Sequence, residues 1–156
     1  MTRVVLLDTG PLGMYTNPRA SPKNEECRRR VEKLLVDGAQ VRAPGIAVYE
    51  TRRKLTHLQC EQPAAKRLAR FDAAVAILGV LPITDEVMHR ASEIWGDARH
   101  RGICTSPPEA LDGDVILVAH AFLEAAAGSQ VEIATTNTAD LRQLFPNILN
   151  WDDLKA

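Results

Sequence analysis

No apolar stretch in this chain approaches the ~20 residues needed to span a bilayer, and the N-terminus has no basic segment leading into a long apolar core. Neither a membrane protein nor a secreted one is expected; the reading is a cytoplasmic chain with no membrane partner. Cysteine is equally sparse. Cys27, Cys60 and Cys104 are odd in number and widely separated, so neither a disulfide framework nor a C-x-x-C metal or redox site is indicated. Internal repeats and low-complexity segments are absent as well. What is present is ordinary for a folded domain: 156 residues, 46% hydrophobic and 25% charged, enough to bury a core as one domain over residues 1–156.

Net charge is also nearly missing, at −1, which by itself argues against a nucleic-acid partner. The balance conceals an asymmetry. Residues 1–78 hold 14 Lys/Arg against 8 Asp/Glu (+6), and the remainder holds 5 against 12 (−7). A basic surface and an acidic centre can coexist in one fold, a pattern that suits a metal-dependent enzyme acting on a polyanion. Charges scattered over solvated faces would give the same totals.

The chain is organised around RVVLLDTGPLG, residues 3–13. Val4, Val5, Leu6 and Leu7 run without polar alternation, as a strand buried on both faces of a parallel sheet does. Thr9, Gly10 and Pro11 are read as a turn, which leaves Asp8 at the strand's carboxyl end, where open α/β sheets form their ligand crevice. Asp8 is either a chemical group or a cap for the next segment.

Asn24 is expected to cap a helix closed by Gly38, with Cys27, Val31, Leu34 and Leu35 on its apolar face. QVRAP, 40–44, reads as strand two. From Gly45 a helix follows with Val48, Leu55 and Leu58 on one line and Glu50, Arg53, Lys54 and His57 on the other. A third helix follows Pro63 and carries Leu68, Phe71, Val75 and Leu78; VLPI, 80–83, reads as strand three. Thr84 caps a fourth helix, whose buried side is expected to be Val87, Ala91, Ile94, Trp95 and Ala98. GICTSPPEALDG, 102–113, reads as a long loop that delivers Asp112 and Asp114 to a helix start. That helix is apolar enough to need cover on more than one side, from a partner subunit among other possibilities. VEIAT, 131–135, and NILNW, 147–151, close the series around a short helix. Alternating strands and helices imply an α/β protein with a parallel sheet covered on both faces.

Four acids occupy equivalent places in this alternation: Asp8 after strand one, Glu50 and Asp114 near helix starts, and Asp140 after strand four. Strand ends and the helix starts that follow share one edge of such a sheet, so the carboxylates can converge. With no His or Cys among them they suit Mg²⁺ or Mn²⁺ rather than zinc. Two carboxylates about 4 Å apart repel by roughly 4 kcal/mol at an effective dielectric near 20, so such a cluster calls for a cation or a basic partner.

On LLDTGPL, IAVYETRRKL, DGDVILVAHA and ATTNTADL, nearly its whole length, the chain resembles the PIN-domain nucleases of the VapC toxin type. The resemblance implies a three-layer α/β/α domain with five parallel strands in the order 3-2-1-4-5. It also implies cleavage of RNA with Mg²⁺ or Mn²⁺ held by Asp8, Glu50, Asp114 and Asp140, a homodimer, and a cognate antitoxin. Asp112, two residues before Asp114, is a second candidate for the same place. Thr9 and Asn137 can position water or phosphate, and Arg52, Arg53 and Lys54 either hold the RNA backbone or form a solvated helix face. Gly10 and Leu141 depart from the commoner residues of the pattern without removing a ligand.

Two other α/β enzyme classes fit less well. A receiver-type phosphoacceptor wants a Lys after its last main strand, and TTNTADLR has none; a haloacid-dehalogenase-like phosphatase wants Asp-x-Asp, and Gly10 stands at the second place. A catalytically silent PIN-like module that binds RNA or protein remains the alternative of a different class.

Overall fold

The computed structural model describes residues 1–58, 65–103 and 108–155, with the backbone alone for 108–110. Cys60, Cys104, Pro63 and residues 104–107 of the expected loop lie outside them. Five strands form one parallel sheet: β1 (Arg3–Leu7), β2 (Gln40–Pro44), β3 (Val80–Leu81), β4 (Gln130–Thr135) and β5 (Ile148–Asn150). Their order is β3-β2-β1-β4-β5, the expected one, with β1 at the centre.

β1 shows why the sequence reads as it does. Successive side chains of a strand point to opposite faces, so the apolar run feeds two cores at once. Val4 and Leu6 join Val131, Ile133 and Ile148 beneath α5 (Asp85–His100) and α6 (Pro108–Ala126). Val5 and Leu7 join Val41, Ala43 and Ala134 beneath α1 (Thr9–Thr16), α2 (Pro22–Val36), α3 (Gly45–Leu58) and α4 (Ala65–Leu78). The result is three layers, α/β/α. A short α7 (Thr138–Leu141) follows β4. No helix among the described residues is long and apolar enough to cross a membrane.

Several local expectations are corrected. Residues 9–11 are not a turn but the first turn of α1, because Asp8 caps it through Thr9 N and proline is tolerated before the helical ladder begins. α2 is capped by Ser21, whose hydroxyl accepts from Asn24 N at 3.2 Å, with Pro22 at the first helical position; Asn24 lies inside the helix and is buried. α3 buries Ile46, Ala47 and Thr51, while Leu58, expected on the apolar line, is exposed at the helix end. α6 begins at Pro108, so Asp112 and Asp114 sit inside a helix already under way rather than at its start. Leu111, Val115, Leu117, Val118, Ala119 and Ala121 of α6 are buried within the chain itself.

Trp95 is 40% exposed. The buried line of α5 runs Val87, Ala91, Ile94 and Ala98, and one residue on is a 100° rotation away. Trp95 instead lies under the Arg99 guanidinium, 4.9 Å from its ring centroid. The expected cap is present: Thr84 Oγ1 accepts from Val87 N at 3.2 Å.

Candidate active site

Asp8 stands at the carboxyl end of the central strand, its N–H donating to Ala134 O at 2.9 Å. One carboxylate oxygen, Oδ1, accepts from Thr9 N at 2.7 Å and caps α1; the other, Oδ2, accepts from the Thr135 hydroxyl at 2.7 Å. The two readings of Asp8 are therefore compatible, since a cap that uses one oxygen leaves the other side of the group facing the crevice. Burial pushes its carboxyl above the usual range, against the pull of these hydrogen bonds.

Thr135 is a positioning residue that periodicity alone does not single out. It is fully buried at the end of β4, beside Asp8 in the parallel register that pairs Leu7 with Ala134. Its hydroxyl donates to Asp8 and accepts from Asn137 N at 2.9 Å. Asn137 then donates from Nδ2 to Asp140 Oδ2 at 2.9 Å. One hydrogen-bonded chain thus runs Asp8, Thr135, Asn137, Asp140 and fixes two of the four acids relative to one another.

The other two arrive on helices. Glu50 lies in the second turn of α3, and Asp114 in the second turn of α6. Gly113 permits the approach of α6 to α3, and Gly10 that of α1 to the end of β4. A Cβ on Gly113 would stand 3.2 Å from Glu50 Oε1, and one on Gly10 would stand 2.9 Å from Thr136 Oγ1, too close for a side chain at either place without movement. Glu50 is pushed up by burial and then by the charge of Asp8. Asp114 is pushed up to about 7, by burial first and then by Asp8, Asp140 and Glu50 in turn. All four carboxylates therefore lie within electrostatic reach of one point. Asp112 does not join them: it is exposed, and two residues along a helix is a rotation of about 200° from Asp114.

The basic residues of α3 divide. Arg52 pairs with Asp72 of α4 and is turned from the centre. Arg53 lies 3.6 Å from Glu50 and over the ring of Tyr49. Lys54 is close enough for its charge to favour the ionised forms of both Asp8 and Glu50. His57 and His100 are exposed and stand apart.

The donors at the centre are oxygens only, the preference of Mg²⁺, Mn²⁺ or Ca²⁺. Two further features bear on a cation there. The Thr9 hydroxyl is buried and lies near Glu50, whose ionised form it favours. Among the described residues no three His, Cys, Asp or Glu side chains stand close enough together to hold a metal ion between them.

No family model matches the sequence, and no curated protein matches it. Solved structures do match, over almost their whole length. VapBC2 from Rickettsia felis, bound to a DNA fragment from its promoter, superposes with a TM-score of 0.72 at 14% identity over 95% of this chain and 98% of that one. FitAcB from Neisseria gonorrhoeae gives 0.68 at 18% identity over 96% and 99%. DNA-bound VapBC from Salmonella typhimurium gives 0.69 at 16% identity over 97% and 99%. With the strand order and the three layers, this likeness shows the fold: the three-layer α/β/α architecture that those structures share.

Proposed function

We propose that the chain is a Mg²⁺- or Mn²⁺-dependent ribonuclease, the toxin of a toxin–antitoxin pair acting in the cytoplasm. The observation that carries this reading is Asp114, raised to about 7 by burial first and then by three other acids delivered from three separate elements. A fold gains nothing from gathering four carboxylates unless a cation or a polar reaction uses them. Mg²⁺ or Mn²⁺ bound there would supply charge stabilisation for a phosphodiester and an activated water.

The chain's own residues do the rest. Thr135 and the Thr9 N–H hold Asp8 in one orientation, and Asn137 does the same for Asp140. Asp8 and Asp114 are the principal ligands in this reading, with Glu50 and Asp140 completing the site directly or through water. Thr9 and Asn137 can each offer a hydrogen bond to water or phosphate. Lys54 offsets part of the negative charge around Asp8 and Glu50.

The partners follow from the neighbours. A toxin–antitoxin complex from Klebsiella pneumoniae shares the fold at a TM-score of 0.62 and 17% identity, and the antitoxin partner proposed for this chain is by analogy with it. A homodimer would find apolar surface in the exposed Val80, Ile83, Met88 and Trp95.

The test is RNA incubated with the purified protein in Mg²⁺, in Mn²⁺ and in EDTA. Cleavage with either metal and none in EDTA is expected. RNA binding without cleavage in any of the three would establish the catalytically silent module in its place.

A further inference from the structure

A cleft of about 820 Å³ lies among α1, α3 and α4. Its lining includes Thr9, the residue after Asp8, and Lys54, whose charge reaches both Asp8 and Glu50, so the cleft adjoins the acidic centre. Its character is the opposite of that centre. Arg19, Lys54, Arg67 and Arg70 contribute to the lining, and no acid does among the described residues. Thr51 is only 8% exposed and its hydroxyl has no hydrogen-bond partner among the described residues. A buried hydroxyl left unpaired costs about 1–3 kcal/mol, so Thr51 in the wall of a basic cleft favours a ligand rich in acceptors. Met14 and Leu55 add apolar surface to the same lining.

We propose that this cleft is the track for the single-stranded RNA that flanks the scissile phosphate, an inference that rests on the ribonuclease reading above. Lys54 takes the phosphate nearest the acidic centre. Arg67 and Arg70, on α4, take the phosphates beyond it. Thr51 and Thr9 donate to phosphate or ribose oxygens, and the apolar wall receives an unstacked base. Arg52 and Arg53 are not part of the track, because Asp72 holds the first and Glu50 with Tyr49 the second. The basic excess of residues 1–78 thereby acquires a location.

The experiment measures binding of a fluorescein-labelled 12-nucleotide oligouridylate in EDTA between 50 and 200 mM salt. Wild type is compared with Arg67→Gln/Arg70→Gln and with Lys33→Gln/Arg99→Gln, which removes two positive charges outside the cleft. Each lost contact to a single strand should lower the salt slope by about 0.7, so the cleft variant should be shallower by about 1.4 and roughly 25-fold weaker at 0.1 M salt. The other double variant should match wild type. In Mn²⁺, KM for RNA should rise in the cleft variant with kcat kept. Equal slopes in all three proteins overturn the track. An unchanged slope together with lost binding of oligoglutamate makes the cleft a docking surface for an acidic protein, and overturns it too. Wild type that binds RNA through this slope but never cleaves it sinks the ribonuclease reading and leaves the track as an RNA-binding surface.

Discussion

Central strand β1 and the residue that follows it occupy two opposite environments. Val4 to Leu7 are buried with apolar neighbours on both faces and with backbone pairing to β2 and β4 on either side. Asp8, next in the chain, is half-buried and within reach of the charges of Glu50 and Asp114. In the first region local preference, packing and hydrogen bonding agree. In the second they conflict, and such conflict in an otherwise consistent fold marks where function sets the sequence rather than stability. The sharpest way to break the comparison is to exchange the effects of mutation in the two regions.

Asp8→Asn should lower metal-dependent RNA cleavage by ~100-fold or more, because it keeps the shape and removes ligand charge from the centre. Leu6→Ala should leave the chemistry of the surviving folded protein intact while lowering stability by about 2–5 kcal/mol, the range for a fully buried leucine. Cleavage assays and denaturant unfolding of both variants check this crossing. Equal losses of both properties in both variants would erase the distinction.

A smaller effect should appear with pH in metal-free protein. Asp114 is held at about 7, above its ordinary 3.8, so the folded state binds that proton more tightly than the unfolded state. Stability then rises as pH falls from 8 through 7, with Asp8 and Glu50 acting in the same direction. His120 opposes this. It is 3% exposed in the α6 core and pushed by burial from 6.5 down to about 4, so its contribution is lost as pH falls from 6.5 to 4. The melting temperature in EDTA should therefore climb from pH 8 to about 6.5 and flatten below. A melting temperature that falls over the upper interval would contradict the repulsion assigned to the acids.

Much of this could be read from sequence because it depends on neighbours along the chain. The apolar run of β1, the bounds of β2 and the Thr84 cap of α5 are all local patterns. The sheet edge that carries the four acids was legible too, since strand ends and the helix starts after them share it. What escaped depends on partners distant in sequence or on a small rotation. Thr135 serves Asp8 from 127 residues away. Arg52 is drawn off by Asp72 on another helix. Trp95 missed the core by one helical step. The Asp-Thr-Gly-Pro sequence reads as a turn because the same residue types begin helices and make turns, and here the Asp8 cap decides between them.

In this reading the acidic edge is held under repulsion for a cation. Thermal melts of wild type and Asp114→Asn, in EDTA and in Mn²⁺ at one pH near 8, test it most directly. In EDTA the variant should melt higher than wild type, because one buried charge has gone. In Mn²⁺ the order should reverse, because binding to the native state stabilises by mass action and the variant binds less. A variant that melts lower in EDTA, together with a wild type that Mn²⁺ does not shift, would make Asp114 a structural group and the cluster no metal site.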